Sequence, residues 1–387
     1  MFSTLRAFAP TFNRSPSLAF STKTPMDSVV RGPDGHSSRC ASTSEPRETR
    51  ISSGGPPITL QEWQAWGSAS PLPTMVTEIV EELKVLEKNI DAQMSFGGSG
   101  GKLQGYFKTQ EDKKHRATYQ ALGSSEQKLQ FFSARQIACR LLGSRDYLCQ
   151  KCWLPFEDCM CSRVKRCSLW GGARFWLYMH PKDFLRQNNT GKLLLQVFGV
   201  EATTLCLYGI SEHEEIMWNA FKAAGKSKVC CLYPNKNATS KSVQDAFSSE
   251  LSTKQECTQK TTDGDGILNF ILIDGTWSNS AAMFNRLKEQ ANSVWGEDLP
   301  CISLTTGSSA MHKLRPQPSW DRTCTAAAAA SLLFELQLIP KFSSIEFDKQ
   351  GEALEDALEV LLEALTARRI RMGRSITRKV RHASSFC

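Results

Sequence analysis

The stretch Gly266 to Ala291, GILNFILIDGTWSNSAAMFNRLKEQA, constrains the chain more than any other. Ile267 to Ile273 is a nearly unbroken apolar run of strand length, the pattern of a strand buried on both faces of a parallel sheet. Asp274-Gly275-Thr276-Trp277 stops it with a carboxylate, a flexible glycine, a hydroxyl and an indole. From Ser278 the pattern turns helical, with Ser278 as N-cap and Ala281, Ala282, Phe284 and Leu287 on one side. Open α/β sheets bind ligands in turns leaving the carboxyl ends of their strands. Asp274 is therefore a carboxylate at the mouth of a crevice, beside an aromatic ring, Trp277, that can stack or wall it. The same spacing also allows Asp274 as a turn residue and Trp277 as core.

Elements of the same kind surround this one. Arg174 to Met179 predicts a strand ending at His180-Pro181-Lys182, then a polar turn Arg186-Gln187-Asn188-Asn189-Thr190-Gly191 and a helix Lys192 to Phe198. Thr203 to Tyr208, Lys228 to Tyr233 (before Pro234) and Leu299 to Leu304 read as further strands. Asn235 to Gly266 reads as a variable polar loop. Met311 to Pro316, carrying Lys313 and Arg315, leads into a helix from Thr325 to Leu336. A last amphipathic helix spans Gly351 to Arg371. This alternation predicts an α/β fold with a mostly parallel sheet covered on both sides. Upstream, Trp63 and Trp66 mark a short segment before a helix bearing Val76, Ile79, Val80, Leu83, Leu86, Ile90 and Met94. Ser95 to Gly101 reads as a flexible linker, and Ser125 to Leu142 as a second helix. Residues 58–145 thus form a helical accessory region with no chemistry in view.

Cysteine usage adds a second constraint. Cys149 and Cys152, then Cys159 and Cys161, place four thiols within thirteen residues. That is about what a tetrahedral structural Zn²⁺ requires; four buried thiols without metal is the alternative. The fourteen cysteines are too dispersed for a small disulfide scaffold. With 41% apolar residues but no apolar run near 18, no membrane span is expected. The net charge of +8 is uneven: Ala364 to Cys387 holds seven Arg or Lys and no acid. Arg368, Arg369 and Arg371 open that tail, which reads as a phosphate-binding segment or a solvated helix end. Residues 1 to 25 are basic, hydroxyl-rich and free of acids, as in an organellar transit peptide, with Met26 a possible internal start for a cytoplasmic or nuclear form. The organisation is then 1–57 transit or disordered, 58–145 helical, 146–173 cysteine segment, 174–365 catalytic domain and 366–387 basic tail. Oligomeric state is not legible.

No GxGxxG follows a strand, and no Walker loop, HExxH or GxSxG appears. What carries chemistry is a series of polar turns in a specific order. The cysteine quartet is followed by His180-Pro181, Asn189-Thr190-Gly191, Leu232-Tyr233-Pro234 and Asp274-Gly275-Thr276-Trp277. Lys313-Leu314-Arg315, Pro318 and Cys324-Thr325 come after. This order resembles the DTW-domain family of tRNA-uridine aminocarboxypropyltransferases, over about Tyr147 to Leu365. The resemblance implies an S-adenosylmethionine-binding α/β fold related to the SPOUT methyltransferases, with a trefoil knot at the ligand site. It implies transfer of the 3-amino-3-carboxypropyl group to N3 of a tRNA uridine, releasing methylthioadenosine. Asp274 would be the catalytic base. Pro181, Asn189, Thr190, Gly191, Tyr233, Pro234, Thr276, Trp277, Cys324 and Thr325 would surround the cofactor, and Lys313 and Arg315 would hold RNA phosphate or the cofactor's carboxylate. Transfer to ribosomal RNA, or of methyl to RNA, is the alternative enzymatic reading. One departure favours a third, non-catalytic zinc-containing RNA-binding factor. The family's helix opens with Ser/Cys-Thr, an acid and Ala, whereas here Cys324-Thr325 runs into Ala326-Ala327-Ala328, with Ala327 in the acid's place.

Overall fold

A computed structural model describes residues 58–97, 102–233, 241–248, 266–305 and 323–374. The transit-like segment, Pro234, Lys313, Arg315 and the tail beyond 374 lie outside the described residues. Among the described residues, six strands form one sheet: β3 (Ala173–Met179), β4 (Thr203–Leu207), β5 (Val229–Leu232), β6 (Lys241–Ser242), β7 (Leu268–Asp274) and β8 (Cys301–Ser303). Their spatial order is β4-β3-β7-β5-β8-β6, and every pairing is parallel. Two shorter strands, β1 (Phe96–Gly97) and β2 (Lys102–Leu103), pair antiparallel across the predicted linker.

Side chains of β3 and β7 alternate between two apolar layers, as the period of two requires. Phe175, Leu177, Phe270 and Leu272 face α5 (Lys192–Phe198), α9 (Thr325–Gln337) and α10 (Phe347–Arg371). Trp176, Tyr178 and Ile271 face α6 (Ser211–Ala224) and α8 (Trp277–Trp295). Asp274 shares parity with Leu268, Phe270 and Leu272, so the period of two puts its carboxylate on the α5/α9 side. The chain leaves β3 toward β4 in one direction and leaves β7 toward β8, beyond β5, in the other. That divergence opens a crevice at the carboxyl ends of β3 and β7.

Several local expectations need correction. Helix α8 begins at Trp277 with Thr276 as N-cap, its carbonyl accepting from Asn279 and Ser280 (2.8 and 2.9 Å); Ser278 lies inside the first turn. Its buried face is Ser280, Met283, Phe284, Leu287 and Ala291, while Ala281 and Ala282 are exposed. The loop expected over 235–266 contains β6 and a short helix, α7 (Val243–Ser248). Helix α6 and helix α3 (Gly105–Ala121) have no counterpart in the sequence reading. Helix α3 escapes because its apolar stripe is thin. It is held instead by Glu111, buried against Arg135, and by Asp112, 2.7 Å from the same guanidinium.

The helical region is α1 (Leu60–Ala65), α2 (Thr74–Ile90), α3 and α4 (Ser125–Ser144). Helix α4 packs directly on the carboxyl end of the sheet. At Gly209, where φ is +72°, a Cβ would stand 2.6 Å from Ser133 Oγ and 2.8 Å from Leu129 Cγ, so glycine allows the close approach. Arg286 of α8 bridges Glu126 of α4 (2.7 Å) and buried Glu214 of α6 (2.6 Å), and Glu214 also accepts from Tyr178 Oη at 2.6 Å. Among the described residues, no helix is long and apolar enough to cross a membrane.

Candidate active site and metal centre

Asp274 ends β7 opposite Met179 of β3, and its carbonyl accepts from His180 N–H at 2.8 Å. Its carboxylate is buried, and Oδ2 accepts from Asn189 Nδ2 at 2.9 Å. Asn189 in turn accepts from Lys192 N–H (3.0 Å), fixing the amide against the first turn of α5. Gly191 presses on the same carboxylate: a Cβ there would lie 2.0 Å from Asp274 Oδ2 and 2.7 Å from Leu177 Cδ1. The loop 180–191 therefore starts on the backbone of Asp274 and ends on its side chain. Gly191→Ala should push the carboxylate out of place and cost about 1–3 kcal/mol by overpacking. Thermal unfolding read together with activity checks this; an alanine variant of unchanged stability and rate contradicts the packing.

Thr190 faces the start of α9, its Oγ1 3.5 Å from Ala326 N, with Cys324 as N-cap and Thr325 in the first turn. Ala326 and Ala327 are both buried, so an acid at 327 would face apolar packing here. Pro181 is buried beneath the loop. His180 stacks on Tyr208 at 5.6 Å and accepts from Lys182 N–H through Nδ1. Burial, only partly offset by Asp183, takes its pKa down to about 4, so it is neutral at physiological pH. Trp277 and Thr276 are half-buried at the rim. Tyr233, one residue beyond β5, stacks on Phe284 at 4.1 Å rather than standing free. The structure thus gathers Asp274, Asn189, Thr190 and Gly191 with the start of α9.

The four cysteines also converge. The Sγ atoms of Cys149 and Cys161 lie 3.7 Å apart, those of Cys152 and Cys159 3.8 Å, and all four lie within 4.8 Å of one another. With Zn–S bonds of about 2.3 Å, a tetrahedron has edges of about 3.8 Å. The donor set fits a structural Zn²⁺ with every position filled, leaving no open site for metal chemistry. The turn is built by Cys149 N–H to Leu154 O and Trp153 N–H to Cys149 O, both 2.8 Å. Trp153 has φ of +57°, a conformation costing roughly 1–2 kcal/mol, and its fully buried ring packs edge-on against Phe184 at 5.6 Å. Helix α5 joins the two centres: Gly191 at its start touches Asp274, and Gln196 near its end points Nε2 at Cys161 Sγ (3.6 Å).

The basic end of α10 is engaged within the protein. Arg368 and Arg371 each reach Asp158 at 2.7 Å, and Arg371 also reaches Glu157 at 3.0 Å. Burial opposes the charge of Asp158, but hydrogen bonds from Arg371 and Arg368 outweigh it and hold its carboxyl below the usual range. These two arginines, read as RNA contacts, clamp α10 to the residue before Cys159. Their charge was visible in the sequence; their distant partner was not. Sequence reasoning also missed Lys192, fully buried with Nζ donating to Gln187 O at 2.6 Å, because it sits in an ordinary helical pattern.

A family model, the DTW domain, matches residues 146–369, well over half of the chain. The chain belongs to that family. The DTW domain is associated with tRNA-modifying activity, and its matched span holds the cysteine quartet, Asp274 and all six strands of the parallel sheet. Helix α4, at the sheet's carboxyl end, lies outside it. No solved structure matches the chain.

Proposed function

We propose that this DTW-domain chain is a tRNA-uridine aminocarboxypropyltransferase. The observation that carries the reading is the buried Asp274 carboxylate at the carboxyl end of a central strand, held by Asn189 and Gly191 and flanked by the start of α9. The residues present fit an adenosyl ligand: Thr276 and the flat Trp277 ring stand half-buried at the rim, and the amide end of α9 favours an anionic group. Pro181, Asn189, Thr190, Gly191, Thr276, Trp277, Cys324 and Thr325 would hold S-adenosylmethionine, with Tyr233 and Pro234 beside them. Bound there, it supplies the 3-amino-3-carboxypropyl group on a carbon made electrophilic by the adjacent sulfonium, and leaves as methylthioadenosine.

Asp274 takes the N3 proton of uridine as that nitrogen forms its new bond to carbon, a contribution of about 10²–10⁴-fold. Neutral His180 contributes position, since its Nδ1 is occupied by Lys182 N–H. Trp277 walls or stacks on the entering base, which must be splayed out of the RNA to reach a buried oxygen. Cys149, Cys152, Cys159 and Cys161 would hold a structural Zn²⁺, which would stiffen the segment against which α5 rests. Lys313, Arg315, Arg369 and the tail would meet tRNA phosphates. The same reading carries a SPOUT-like knotted fold, and organelles as the place of action.

Nucleoside mass analysis of total and organellar tRNA from cells lacking the protein tests this reading. Loss of an aminocarboxypropylated uridine is the expected result. An unchanged set of modified uridines in every pool contradicts it.

A further inference from the structure

One face of helix α5 carries two hydrogen-bond donors toward the cysteine quartet. Lys192 and Gln196 lie one turn apart and so share that face. Gln196 points Nε2 at Cys161 Sγ (3.6 Å), while its Oε1 is buried with no partner, so the contact with sulfur sets the amide's orientation. Lys192 is wholly buried, and its Nζ lies 5.9 Å from the centroid of the Trp153 ring, next in sequence to Cys152. Burial disfavours this ammonium, and the groups that offset the cost are Cys152, Cys161 and Cys149. Among the described residues, no carboxylate is one of them.

A buried ammonium needs more than a carbonyl and a ring. Taking an unpaired charge out of water costs more than one hydrogen bond and one cation–π contact return. Neutral thiols supply no counter-charge. Four thiolates on Zn²⁺ leave about two negative charges uncompensated, and Lys192 is the cation buried beside them.

The same residue holds the active-site loop. Lys192 Nζ donates to Gln187 O at 2.6 Å, and Lys192 N–H donates to Asn189 Oδ1 at 3.0 Å. Asn189 donates in turn to Asp274 Oδ2 at 2.9 Å. Side chain and backbone of one lysine therefore grip the loop 180–191 at two points, and the second leads to the Asp274 carboxylate.

We propose that Lys192 is a positioning residue coupling the metal centre to the Asp274 loop, its ammonium being both the counter-charge of the metal-bound thiolates and, through Gln187 O, the anchor of that loop. Metal loading then orders the loop by holding a buried cation in place, besides stiffening the cysteine turn. Gln196 touches the quartet but not the loop, so it adds to metal affinity alone. The coupling goes beyond the proposed reaction and holds for any chemistry at Asp274.

The test compares the full-length wild type with Lys192→Met, which keeps the bulk and removes the charge, and with Gln196→Leu. Each is titrated with Zn²⁺ against a chromophoric chelator. Lys192→Met should weaken Zn²⁺ binding by about 10- to 100-fold, the range for groups that support metal ligands. Amide exchange of residues 180–191, followed by mass spectrometry, reads the loop. In the wild type, metal removal should speed that exchange by about tenfold, within the usual range of coupling between sites. Lys192→Met should exchange alike without metal and at saturating Zn²⁺, whereas Gln196→Leu should keep the metal response. Melting separates charge compensation from plain packing. Without metal, Lys192→Met should melt no lower than the wild type, since it removes a buried charge that lacks a counter-charge; the loss should appear only with Zn²⁺ bound. Lys192→Arg, which keeps the charge, should bind Zn²⁺ more tightly than Lys192→Met. Wild-type Zn²⁺ affinity in Lys192→Met, or an equal loss of stability with and without metal, overturns the coupling. A wild-type loop whose exchange ignores metal overturns it without any variant, and leaves the transferase reading intact.

Discussion

Asp274→Ala should reduce aminocarboxypropyl transfer by about 10²–10⁴-fold, the range lost when a positioned general base is removed. Binding of S-adenosylmethionine should stay within a few-fold, because the loop and the start of α9 are held by other contacts. The carboxylate is buried and accepts from Asn189, so alanine frees that amide and leaves a small void beside Gly191. A stability cost of about 1–3 kcal/mol for the unpaired amide is expected. Activity must therefore be read well below the melting temperature. Asp274→Asn separates the two effects, since it keeps the volume but cannot take a proton. Asparagine at 274 supporting wild-type transfer would show that the carboxylate positions the base without accepting its proton.

The second large effect is expected at the cysteine quartet. Cys152 is fully buried, and its neighbours Trp153 and Leu154 belong to the main core. Cys152→Ser should abolish stoichiometric zinc binding and destabilise the chain by about 3 kcal/mol or more, a fall of roughly 4 °C or more in melting temperature for a chain of this length. The damage should spread along two paths. One is α5, whose Gln196 meets Cys161; the other is Asp158, which holds Arg368 and Arg371 of α10. Chelation of the wild type should reproduce the melting shift, and added Zn²⁺ should restore it. Metal analysis and calorimetric melting check this. A chain that melts identically with and without chelator would leave the quartet as plain buried thiols.

What the sequence displayed, and what it hid, follows from where each interaction lies along the chain. Strand β7 was legible because burial on both faces demands an unbroken apolar run. The cysteine quartet was legible because its members fall within thirteen residues. Asp274's partner Asn189 lies 85 residues away, so only the order of turns hinted at their meeting. Helix α3 was hidden because ion pairs to Arg135, on another helix, replace the apolar stripe that periodicity detects. The arginines at 368 and 371 looked free because charge is visible in a sequence and its compensation is not.

The by-product decides the central claim. Purified protein, unmodified tRNA and S-adenosylmethionine are incubated, and both the nucleosides and the spent donor are identified by mass spectrometry. The account expects a uridine bearing the aminocarboxypropyl group on N3 and one methylthioadenosine for each such uridine. Methylated RNA with S-adenosylhomocysteine as the spent donor would contradict it.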